Sequence, residues 1–166
     1  MKRSVCHLLS VLLLYPLAST VLPTEDDQTF AIHNIASGKN LRPFQAGRQD
    51  GNRVILYDHH AWKCLTWSFK QVGPDRYQLT NYYTGKLLDT ESAPAPGVSL
   101  AQHETDPENL AWDFEAQPDG SYAIHIADTD LYVTAESSIT NAPITLSPFS
   151  NTNSQKWQLI PQKPWF

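Results

Sequence analysis

Leu110-Ala111-Trp112-Asp113-Phe114 stands forty-five residues after Leu65-Thr66-Trp67-Ser68-Phe69 and forty-five before Gln155-Lys156-Trp157-Gln158-Leu159. Each phrase sets a tryptophan two residues ahead of a second large apolar side chain. A bulky core-forming residue repeated at constant spacing signals a structural unit copied along the chain, and a period of this size predicts three supersecondary units sharing one core.

Outward from the tryptophans, each unit opens on an aromatic-led alternating run: Phe30-Ala31-Ile32-His33-Asn34, Tyr77-Gln78-Leu79-Thr80-Asn81 and Tyr122-Ala123-Ile124-His125-Ile126. Such alternation predicts half-buried strands with Phe30/Ile32, Tyr77/Leu79 and Tyr122/Ile124 inward and His33, Thr80 and His125 outward. Turn formers Ser37-Gly38-Lys39, Thr84-Gly85-Lys86 and Asp128-Thr129-Asp130 lead to second strands around Leu41, Leu87-Leu88 and Leu131-Tyr132-Val133. Third strands are expected at Val54-Ile55-Leu56, Val98-Ser99-Leu100 and Ile144-Thr145-Leu146, and fourth strands carry the tryptophans. No segment has the length and period of a helix. The class is therefore all-β, with three repeats of four strands at about 29–73, 74–118 and 119–160. A four-stranded unit cannot bury its inner face alone, so the three are expected to close around a pseudo-threefold axis as a β-trefoil.

Residues 1–20 read as a secretory signal peptide: Lys2-Arg3, then the apolar run Val11-Leu12-Leu13-Leu14-Tyr15, then Ala18, Ser19 and Thr20. The run is too short for a membrane span, and a secreted protein, extracellular or periplasmic, is expected. Residues 21–28, with Glu25-Asp26-Asp27, form a solvated lead-in, and residues 161–166 a tail without a repeat partner. Loss of Lys2 and Arg3 takes the formal net charge from −5 to −7, which disfavours nucleic acid and other polyanions as partners. Of the two cysteines Cys6 falls in the signal peptide, so Cys64 is left unpaired and reads as a buried thiol.

With these residues in place, the chain resembles the ricin-type β-trefoil lectins, whose repeats end in Gln-x-Trp. The third unit keeps that signature as Gln155-Lys156-Trp157, while Leu65 and Leu110 replace the glutamine in the other two. The second unit is similar to the family along Arg76-Tyr77-Gln78-Leu79-Thr80-Asn81 and Thr84-Gly85-Lys86-Leu87-Leu88-Asp89-Thr90. The resemblance implies shallow sugar pockets built from an Asp after the second-strand leucine, an aromatic beyond the third strand and an Asn three residues before the tryptophan. A carboxylate and an amide there hold neighbouring hydroxyls while a ring covers the C–H face of the sugar.

Carried over by position, the second unit retains Asp89 and Asn109, has Ala101 at the expected aromatic place, and offers Gln102 or His103 in compensation. The first unit has Arg42, Tyr57 and Cys64 at the three positions, and the third has Tyr132, Ser147 and Ser154. At most one family-like site is thus expected, in the second repeat. Asp89 equally suits a turn after Leu87-Leu88, and Asn109 a cap on the turn after Pro107-Glu108.

No Ser/His/Asp motif, Gly-rich phosphate loop or pair of catalytic carboxylates emerges, so no enzyme is expected. Asp58-His59-His60 lacks a third ligand at a standard spacing, and neither a metal nor a cofactor is expected. The partner expected is a glycan or polysaccharide. The alternative is a scaffold that binds a protein through the loops Gln45 to Asn52 and Glu91 to Gly97, as an inhibitor or adhesion factor does.

Overall fold

The computed structural model describes residues 22, 28–104 and 110–165, so the signal-peptide reading and Asn109 lie outside the described residues. The first unit consists of β1 (Thr29–Asn34), β2 (Asn40–Pro43), β3 (Asn52–Tyr57) and β4 (Trp67–Gly73). The second consists of β5 (Arg76–Asn81), β6 (Leu87–Thr90), β7 (Leu100–His103) and β8 (Trp112–Ala116). The third consists of β9 (Tyr122–Ile126), β10 (Tyr132–Thr134), β11 (Thr145–Ser147) and β12 (Lys156–Pro161).

Pairings β1–β4, β4–β5, β5–β8, β8–β9, β9–β12 and β12–β1 form a closed six-stranded ring. The hairpins β2–β3, β6–β7 and β10–β11 cap one end. They lock together through Arg53 against Ala101, Ser99 against Thr145 and Ile55 against Pro143. Barrel plus threefold cap is the β-trefoil that the repeat predicts, and ring closure leaves few free sheet edges.

Trp67, Trp112 and Trp157 are fully buried where ring meets cap. Each indole N–H donates to a carbonyl of its own unit's second strand: Trp67 to Leu41 at 3.2 Å, Trp112 to Leu88 at 3.3 Å and Trp157 to Val133 at 2.9 Å. Burial of an indole removes about 150–250 Å² from water, roughly 4–6 kcal/mol at about 25 cal/mol per Å². Two residues on, Phe69 and Phe114 join Phe30, Tyr77 and Tyr122 in an edge-packed aromatic layer with ring centroids 5.3–6.0 Å apart, and Leu159 is buried at the third such position.

Two local expectations change. The third strand of the second unit runs from Leu100 to His103, because Val98 is held in a turn by its bond to Ala95 O and Ser99 makes only an isolated bridge. His125 does not point to solvent: it is 8% exposed, with Nε2 3.3 Å from Glu115 and its ring 4.8 Å from that of Tyr132. The tail is anchored by Gln162, which bonds Thr29 O through its backbone and His60 O through its side chain.

Candidate functional site

The three tryptophan acceptors Leu41, Leu88 and Val133 set a common register, and the residue after each is Arg42, Asp89 and Thr134. Thr134, rather than Tyr132, therefore stands at the family's Asp position in the third unit. Across each hairpin, Tyr57 faces Asn40, His103 faces Leu87 and Ser147 faces Tyr132. His103, rather than Ala101, is thus the second unit's counterpart of Tyr57. Ala101 pairs with Asp89 and is fully buried.

In the second unit Asp89 and His103 lie on neighbouring strands with side chains on one face, since Asp89 and Leu87 share a face, as do His103 and Ala101. They are diagonal neighbours, a relation that places side chains about 7–8 Å apart at their bases. Asp89 Oδ1 accepts the Thr90 N–H at 2.7 Å, and Oδ2 has no partner among the described residues. His103 is fixed between Thr90 O at 3.2 Å from Nε2 and Asp50 Oδ2 at 3.4 Å from Nδ1. Asp50 is in turn held below the usual carboxylate range by the Glu104 backbone N–H, then by Lys86 and His103. Beside them Lys86 is 8% exposed and paired with Asp50 at 3.3 Å and Glu104 at 3.6 Å.

Gln102 points the other way. It is fully buried, its amide donating to Gly47 O at 2.8 Å and accepting from Thr84 Oγ1 at 2.8 Å. Its place is beneath the surface, tying β7 to the loop after the 3-10 turn Phe44–Ala46.

In the third unit the side chains at these positions bond one another, although Thr145 Oγ1 nearby is buried without a partner. Gln155 Nε2 donates to Thr134 Oγ1 at 3.1 Å, Ser147 Oγ at 2.9 Å and Pro148 O at 2.9 Å, while Oε1 accepts from Ser150. Thr134 and Ser147 also bond one another at 2.6 Å. In the first unit the guanidinium of Arg42 lies over the Tyr57 ring at 4.1 Å, and Cys64 is a buried free thiol. Asp58, His59 and His60 disperse to Lys39, Asn40 and the face of Trp62, and among the described residues no three His, Cys, Asp or Glu side chains converge as metal ligands. Burial and the neighbouring His33 and His60 push the His59 pKa down.

The aromatics Trp62, Tyr82 and Tyr83 escaped the sequence reading, although Tyr82 and Tyr83 are exposed, as is Trp165 in the tail. Their signal was large rings in turn positions outside the core pattern.

Residues 20–103 match the family model of the ricin-type beta-trefoil lectin domain-like proteins. No curated protein sequence matches the chain. Among solved structures the chain is similar to a designed threefold-symmetric protein, ThreeFoil, at a TM-score of 0.75 and 25% identity over 80% of this chain and 97% of that one. It is similar to the Rhizoctonia solani agglutinin at a TM-score of 0.75 and 19% identity, covering 86% of this chain and 100% of that one. A ricin B-like lectin of Macrolepiota procera, solved with lactose, gives a TM-score of 0.72 at 21% identity over 84% and 99%.

Proposed function

The chain belongs to the ricin-type β-trefoil lectin-like family, and we propose that it is a secreted, non-catalytic carbohydrate-binding protein whose family-like site lies in the second repeat. The observation that carries this reading is the shared face of Asp89 and His103, where one carboxylate oxygen has no partner among the described residues and the imidazole nitrogens lie within hydrogen-bond distance of Thr90 O and Asp50. Asp89 supplies the hydroxyl acceptor, Asn109 an amide and His103 the ring, while Gln102 fixes the strand from below. That a lectin of similar fold was solved with lactose supports a neutral sugar at this face. Secretion is proposed from Lys2-Arg3 and the apolar run that follows.

A glycan array on the secreted chain, run beside Asp89→Ala, tests this. Binding that falls at least about tenfold in the variant is the expected result, the size of one lost charge-assisted hydrogen bond. Absence of any glycan binding, or binding indifferent to Asp89→Ala, refutes the site.

A protein-binding role has one observation in its favour: Glu91 to Gly97 are all exposed, with Pro94 and Pro96 to stiffen them. Capture of a protein partner that free sugars do not compete, lost on replacing this loop, identifies that role.

A further inference from the structure

A cavity of about 650 Å³ opens where the first unit meets the second, within the range of small-ligand pockets, about 300–1,000 Å³. Its cations are Arg42, Arg48 and Lys63, and among the described residues no acidic side chain lines it. Its rings are Trp62, Tyr82, Tyr83 and Trp165. Elsewhere on the molecule Lys39, Arg76, Lys86 and Lys156 have carboxylate partners, and Arg53, Lys70 and Lys163 have none among the described residues. Arg42, Arg48 and Lys63 have none among the described residues.

Arg42 is the centre of this group of three cations. It occupies the position that Asp89 holds in the second unit, so the charge at that point of the repeat is reversed. Stacking on Tyr57 at 4.1 Å, with Trp62 5.9 Å away, fixes its guanidinium, and its Nε is buried without a hydrogen-bond partner. The cause lies in the repeat: Gln155 fills the corresponding space of the third unit with its amide, whereas Leu65 brings no polar atom to the first. Arg48 lies over Tyr83 at 4.4 Å on the rim.

We infer that this cavity binds an anionic sugar residue, carboxylated or sulfated, with Arg42 holding the anionic oxygens and the rings covering the apolar face. This rests on the carbohydrate-binding reading above but concerns a different repeat and the opposite charge. A guanidinium binds carboxylate and sulfate oxygens in a planar, two-pronged geometry, and aromatic faces suit the C–H side of a pyranose. The formal net charge of −5 sets the size of the occupant. A long polyanion meets repulsion over most of the surface, while a single terminal anionic residue meets only the local cations.

Titration calorimetry and tryptophan fluorescence with 3′-sialyllactose, digalacturonic acid, 3′-sulfated lactose and lactose test the inference. Expected are binding of at least one anionic sugar at least about tenfold tighter than lactose, and a fluorescence change, because Trp62 and Trp165 line the cavity while the repeat tryptophans are buried. The carboxylated and sulfated arms tell the two anions apart. Arg42→Gln should weaken binding about tenfold or more and the rim variant Lys63→Ala several-fold, the latter on an exposed side chain that the fold does not need. Anionic sugars that bind no better than lactose overturn the inference, as does affinity unchanged in both variants or equal affinity for a non-sugar carboxylate such as benzoate. Lactose bound through Asp89 with no anionic preference removes this inference alone, and no binding of any saccharide removes both readings.

Discussion

Trp157 donates its indole N–H to the carbonyl of Val133 at 2.9 Å, and both residues are buried. Trp67 and Trp112 repeat the bond to Leu41 and Leu88. Trp157→Phe keeps most of the ring but strands the carbonyl, and should cost about 1–3 kcal/mol, whereas Trp157→Ala should cost about 3–5 kcal/mol. Urea unfolding of both variants measures the difference, and a Trp157→Phe loss near zero would show that the hydrogen bond contributes nothing.

Gln102→Ala should destabilise the fold by about 1–3 kcal/mol, since it leaves Gly47 O and Thr84 Oγ1 without their buried partner. Its effect on sugar affinity should be secondary to that loss. Thermal unfolding run beside glycan binding separates Gln102 from Asp89, whose replacement should act on binding first.

Gln155→Leu gives the third unit the residue that the other two already have. It removes donors to Thr134, Ser147 and Pro148 and the acceptor for Ser150, with an expected loss of about 2–3 kcal/mol. Denaturant midpoints compare it with Leu65→Ala, which should instead lose stability by opening a cavity.

The Asp119 carboxyl is held well below its ordinary 3.8, first by Lys156 at 2.8 Å and then by Ser121. Arg76 lowers Asp128 in the same direction. The unfolded chain therefore takes up these protons before the folded one as pH falls. Their contribution is complete above about pH 4–5 and is lost through the acid range below that. Asp119→Asn should lower Tm at pH 7, and the gap to the wild type should narrow steadily as pH falls from about 5 towards 2; a gap that does not narrow over that range contradicts the assignment.

The fold was legible because its evidence is redundant: three tryptophans, three aromatic-led strands and three turns repeat one pattern in side chains that have to be buried. The site residues offered no such redundancy. From the family's Asp position to the facing third-strand residue, the hairpins span fifteen residues for Arg42 and Tyr57, fourteen for Asp89 and His103, and thirteen for Thr134 and Ser147. No single offset serves all three units, and only strand pairing finds His103 and Thr134. The first-unit cavity was further from view, because Arg48, Trp62, Tyr83 and Trp165 come from separate loops and the tail.

Strands β1 and β12 pair over five residues, from Phe30 against Pro161 to Asn34 against Trp157. During synthesis the first strand to leave the ribosome waits for the last. Until β12, which carries Trp157, emerges, the ring has two open edges, at β1 and β9. Closure of the barrel thus waits until β12 has been made. Loop closure across almost the whole domain also makes the final step slow relative to the local hairpins.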